Sequence, residues 1–83
     1  LVSEVFPDEA LLPEAIAMAG RIAALPALSI QWIKEAIHLG ADAPLQTALA
    51  MERKSFQLLF ASEDREEGIG AFLDKRQPRF KGR

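Results

Sequence analysis

The sequence predicts an all-α chain of about four helices preceded by a short strand remnant, and three observations carry that expectation. Apolar residues return at three- and four-residue intervals along four stretches, the spacing of one helix face. Pro13 and Pro44 stand in first turns, Pro26 and Pro78 at breaks, and Gly40 at a helix end. The one β-like run, "LVSEVF" over residues 1–6, has no second strand in the sequence to pair with.

Pro7 and Asp8 close that opening run. The first helix is expected over residues 12–25: Leu12, Ile16, Ala19, Ile22 and Ala23 share a face, and Pro13 sits where its missing N–H costs nothing. Pro26 forces the break. The second helix runs over residues 27–39 with Ile30, Ile33 and Ile37 aligned, Trp32 beside them as a core or interface residue, and Gly40 at the C-terminal end. The third, over residues 44–60, takes Asp42 or Ala43 as cap and Pro44 as first residue. It carries Leu45, Leu49, Phe56, Leu59 and Phe60 along one stripe. Glu52 falls in that stripe, either at its edge or as a paired buried carboxylate. The fourth, over residues 63–75, starts at Ser62 as N-cap with Glu63, Asp64 and Glu66 in the first turn. Lys75 and Arg76 complement its C-terminal end, Pro78 stops it, and residues 76–83 follow as a basic tail. With no internal repeat, residues 1–83 form one irregular helical subdomain.

Eighty-three residues make at most one domain, and a chain this short buries only roughly 60–65% of its unfolded surface. No cysteine is present to add disulfides, which fits a reducing compartment. A freestanding fold is therefore marginal without a partner, and if the first three helices leave their apolar stripes exposed, the chain in isolation is expected to assemble, swap or remain partly disordered. The first residue is leucine and the opening strand is unpaired, so the chain reads as a segment of a longer one. No apolar run approaches the roughly 18 residues of a membrane span, and no basic-then-apolar leader opens the sequence. A cytoplasmic location, with neither membrane nor nucleic acid as partner, is the expectation.

The net charge of −2 hides an asymmetry. Residues 1–74 hold five cations against all twelve carboxylates, while Lys75, Arg76, Arg79, Lys81 and Arg83 crowd the last nine positions. That basic tail suggests an anionic ligand or neighbour.

Catalytic and metal chemistry is missing from the pattern. His38 is the only histidine, and without cysteine there is no ligand set for zinc. No glycine-rich loop follows a strand, and no serine has a base at plausible spacing. "EDREE", residues 63–67, reads as a solvated helix start. Gly68 and Gly70 are harder to pass over, since each costs about 1 kcal/mol relative to alanine inside a helix. The usual offset is the close approach of a backbone or a ligand. Ile69, Phe72 and Leu73 share a face, so the fourth helix is expected to pack tightly on something flat or bulky, with an anion beside Lys75.

The last 26 residues, "LLFASEDREEGIGAFLDKRQPRFKGR", resemble the C-terminal end of enoyl-CoA hydratases of the crotonase superfamily. Those chains finish with a stretch like F-x-T-x-D-x-x-E-G-x-x-A-F-x-x-K-R-x-P-x-F-x-G. Phe60, Asp64, Glu67, Gly68, Ala71, Phe72, Lys75, Arg76, Pro78, Phe80 and Gly82 match it, with Ser62 in place of threonine. The upstream "LVSEVFPDEALLPEAIAMAGRIAALPALSIQWIKEAI" is similar to the family's last core strand and the helix pair after it, with a lysine where Lys34 stands.

The resemblance implies that this is the C-terminal helical trimerisation part of a crotonase fold. The parent enzyme would hydrate 2-trans-enoyl-CoA thioesters, using backbone oxyanion-hole donors and glutamates that precede Leu1, so no catalytic residue lies in this chain. It further implies a substrate-binding role in which Phe56 and Phe72 line the acyl or CoA pocket and Lys75 approaches the phosphate-bearing adenosine end of CoA. Acyl-CoA is then the substrate, no separate cofactor is needed, and the chain's protein partners are the rest of the parent and other copies in a trimer or dimer of trimers. The same residues also admit a plain structural role, Lys75 capping its helix and Phe72 filling core. Two alternatives stay open: a non-catalytic helical interaction module with a basic tail, and a fragment of a superfamily isomerase or hydrolase.

Overall fold

The computed structural model describes residues 1–83, and every regular element in it is a helix: α1 (Asp8–Ala23), α2 (Ala27–Gly40), α3 (Leu45–Leu59) and α4 (Glu63–Leu73). Residues 1–7 form no strand, because a strand needs a partner for its backbone groups and this chain supplies none. The expected remnant over residues 1–6 is therefore a connection without a ladder.

α1 begins at Asp8 rather than at the expected Leu12. Pro7 is its N-cap, with φ −57°, and the Pro7 carbonyl accepts from the N–H groups of Ala10 and Leu11 at 2.9 and 3.1 Å. Asp8 and Glu9 then occupy the first turn, where carboxylates suit the positive end of the helix dipole. Pro13 consequently lies inside the helix, where it withholds the donor that the Glu9 carbonyl would otherwise receive. The passage through Pro26 into α2 bends the chain by 108°. No single helix is long and apolar enough to cross a membrane.

α2 and α3 lie within one residue of the expected bounds at each end, and they pack side by side. Gly40 closes α2 from inside, where the Cβ of Ala48 comes to 3.4 Å of the position a Cβ on Gly40 would take. The cap of α3 differs from expectation: Pro44 itself, rather than Asp42 or Ala43, is the N-cap, and no side chain accepts from the first-turn N–H groups. Glu52 is exposed with no bonded partner, so of its two readings the edge of the stripe holds.

The molecule is a slab of 42 × 39 × 18 Å with a radius of gyration of 15.9 Å. A globular domain of this length would have about 12 Å. Only Ala71 and Asp64 are buried. Ile16, Ile37 and Leu45 are more than half exposed, so the helix stripes read from the sequence face outward rather than meeting in a core.

Candidate functional site

The basic tail folds back along α4, which Ser62 caps, and is tied down at three points, each using a residue of the C-terminal motif. Ser62 caps α4 by accepting from the Arg65 N–H at 3.2 Å. Asp64, 3% exposed, accepts from the backbone N–H groups of Lys81 and Gly82 at 2.7 and 2.8 Å, while its own N–H donates to the Arg83 carbonyl at 2.9 Å. Glu67 receives both terminal nitrogens of Arg76, at 2.7 and 3.0 Å, and also the N–H of Arg79 at 2.7 Å. The Phe80 ring lies 3.4 Å from where a Cβ on Gly68 would stand.

These contacts explain the two glycines in part. The flat surface expected against α4 is the aromatic ring of the chain's own tail, and it lies over Gly68. Gly70 meets nothing closer than the Arg76 Nη2, 3.8 Å away, so no close approach requires glycine there. A third glycine is set by the backbone: Gly82 has φ +80° and lies 3.4 Å from the Ala27 Cβ, measured at its own virtual Cβ, so it also ties the tail to the start of α2.

The tail is less free as a cation than its composition suggests. Arg76 is paired with Glu67, and Arg83 with Glu63 at 3.1 Å. The guanidinium of Arg76 and the Arg79 N–H together hold the Glu67 carboxyl down from the ordinary 4.5 to about 2, and Glu67 raises Arg76 in return. Lys75, Arg79 and Lys81 keep side chains without an ion pair.

Lys75 is distinguished further by its backbone. α4 ends at Leu73, two residues before the expected Lys75, because the chain turns into the left-handed region there. The Arg76 N–H returns to the Ala71 carbonyl at 3.0 Å and the Lys75 N–H to the Phe72 carbonyl at 3.3 Å, the paired bonds of a Schellman ending. That motif normally places glycine at the left-handed position, and here it is Lys75, with φ 53° and the only non-glycine positive φ in the chain. A lysine therefore tops α4 without an ion-pair partner, on a strained residue.

Phe72 is 82% exposed on α4, so it fills no core in this chain. Phe56 is elsewhere. It lines an open groove of about 960 Å³ between α2 and α3 with Trp32, Ile37, Leu45 and Leu49, and that lining includes neither Phe72 nor Lys75. Phe56 also touches Phe60, ring centroids 5.7 Å apart, and Arg65 covers the Phe60 ring at 4.6 Å. Sequence reading missed Asp64 and Glu67 as anchors, since both sit in a run that resembles any acidic helix start. Their partners lie nine to eighteen residues downstream.

Fold and site together define a helical segment whose end is locked to itself, with the exposed Phe72 and the unpaired Lys75 at the end of α4. The chain belongs to the enoyl-CoA hydratase/isomerase family of the crotonase superfamily: the family model described as "Enoyl-CoA hydratase/isomerase" matches residues 1–83. It is 48% identical over 83 residues to the 2,3-dehydroadipyl-CoA hydratase of Escherichia coli (strain K12), covering 100% of this chain and 32% of that protein. It is 39% identical over 80 residues to the crotonyl-CoA hydratase of Syntrophomonas wolfei, covering 96% and 31%. Among solved structures, the enoyl-CoA hydratase of Bacillus anthracis superposes with a TM-score of 0.90 at 37% identity, over 95% of this chain and 31% of that one. The chain thus spans about a third of the length of the relatives it matches.

Proposed function

We propose that residues 1–83 are the C-terminal oligomerisation and CoA-pocket-capping part of an enoyl-CoA hydratase-like enzyme that adds water across 2-trans-enoyl-CoA thioesters. The groups that bind the thioester oxygen and move protons lie outside these residues. What this part contributes is binding: Lys75 meets a phosphate at the adenosine end of CoA as a point charge, and Phe72 offers an apolar wall to the ligand. The outward apolar stripes of α1 to α3 meet the remainder of the chain and other subunits, in a cytoplasmic trimer or dimer of trimers. Phe56 serves the same acyl-CoA pocket from the α2–α3 groove, which faces the remainder of the enzyme.

One observation supports the reading above the others. Within the motif from Ser62 to Gly82, the polar and glycine positions around Lys75 and Phe72 are occupied by internal contacts, while Lys75 has no ion-pair partner and Phe72 no core to fill. The alternative of a free basic tail docking on an acidic partner is weakened because Arg76 and Arg83 are already neutralised by Glu67 and Glu63.

Binding of acetoacetyl-CoA to the full-length protein tests it. Lys75→Ala is expected to weaken binding about tenfold, the scale of one hydrogen bond to a charged group. Phe72→Ala is expected to weaken it as well. Unchanged affinity in both variants would remove the pocket from this part of the chain.

A further inference from the structure

Lys75 reaches its position only through a turn that its own preferences oppose. At φ 53° a residue with a Cβ is disfavoured, and returning it to the right-handed region would send its side chain off the backbone in another direction. Two bonds close the turn from within, and the Lys75 N–H to Phe72 carbonyl bond is long at 3.3 Å. The firm restraint comes from outside. Glu67, a turn and a half before the end of α4, grips the Arg76 guanidinium with both oxygens, and through Oε1 also the N–H of Arg79. A single carboxylate thereby fixes the residue next to Lys75 and the residue three beyond that one.

We propose that Glu67 is a positioning residue for Lys75: by clamping Arg76 and the Arg79 amide, it holds the left-handed turn from which the Lys75 ammonium meets the 3′-phosphate of CoA. The inference rests on the reading of Lys75 given above. Glu67 itself touches no ligand.

Comparing CoA with 3′-dephospho-CoA by calorimetry on the full-length protein separates positioning from general stabilisation. The unaltered protein is expected to prefer CoA about tenfold, and Lys75→Ala to lose that preference. Glu67→Ala is expected to lose it to the same extent with affinity for 3′-dephospho-CoA unchanged. Glu67→Gln, which still accepts from the Arg79 N–H, is expected to keep part of it. The double variant Glu67→Ala/Lys75→Ala should be no worse than Lys75→Ala, since both changes remove one interaction. If Glu67→Ala melts without a cooperative transition, Arg76→Ala takes its place, with the same expected loss. Preference retained in Glu67→Ala or Arg76→Ala while Lys75→Ala loses it would overturn the role of Glu67 alone. An equal weakening toward both ligands would reduce Glu67 to a structural residue. Preference retained in Lys75→Ala, or none in the unaltered protein, would overturn this inference together with the reading of Lys75 on which it rests.

Discussion

Glu67 gathers more of this structure than any other single side chain, and its charge is the reason. With its carboxyl held at about 2 against the ordinary 4.5, the folded form releases the proton more readily than the unfolded form. The stabilisation is therefore complete above about pH 4.5 and fades as the pH falls through about 2. Denaturant melts of the full-length protein and its Glu67→Gln variant, followed from pH 6 to pH 2, should show a difference in stability at the upper end that closes toward the lower one. A gap of constant size across that range would mean that the ion pair is not its source. Lys75 and Phe72 could be singled out in the sequence because they match a motif position by position. Asp64 and Glu67 match it too, but the motif does not say that they bind the tail. Nothing local in "EDREE" distinguishes a carboxylate that faces water from one that receives two backbone N–H groups of residues 81 and 82.

The helices show where local sequence is sufficient. α2 and α3 follow their apolar spacing and end where Gly40 and the Ser62 turn require. α1 departs from expectation at both ends and α4 at one: Pro7 starts α1 four residues before Leu12, α1 closes at Ala23, two residues before the expected Leu25, and the Schellman ending stops α4 at Leu73. The glycines of the terminal element give a sharp test of the packing described here. Gly70 has φ in the helical range and open surroundings, so Gly70→Ala should stabilise by about 1 kcal/mol through helix propensity. Gly82→Ala should destabilise by about 1 kcal/mol or more, since φ +80° disfavours any Cβ and the Ala27 methyl lies 3.4 Å from it. Urea titration of both variants in the full-length protein reads the two signs. A destabilising Gly70→Ala would mean that α4 is approached there by something other than its own tail.

At the scale of the molecule, an 83-residue slab with two buried residues and outward-facing isoleucines and leucines has few of the contacts that hold an independent domain together. Its stripes were legible in the sequence as helix faces, and their exposure was expected from the short length together with the resemblance to one part of a longer enzyme. What covers them was not legible, because a stripe of Leu and Ile looks the same whether it meets its own core, another subunit or a ligand. The one region with dense internal bonding is α4 and its tail, and the proposed recognition of CoA lies there. A crystal structure of the full-length protein with acetoacetyl-CoA tests that placement most directly. The Lys75 Nζ is expected within about 3 Å of a phosphate oxygen, with the backbone of Lys75 still left-handed and Arg76 still paired with Glu67. A bound ligand whose phosphates are held by other residues, with Lys75 in solvent, would contradict it.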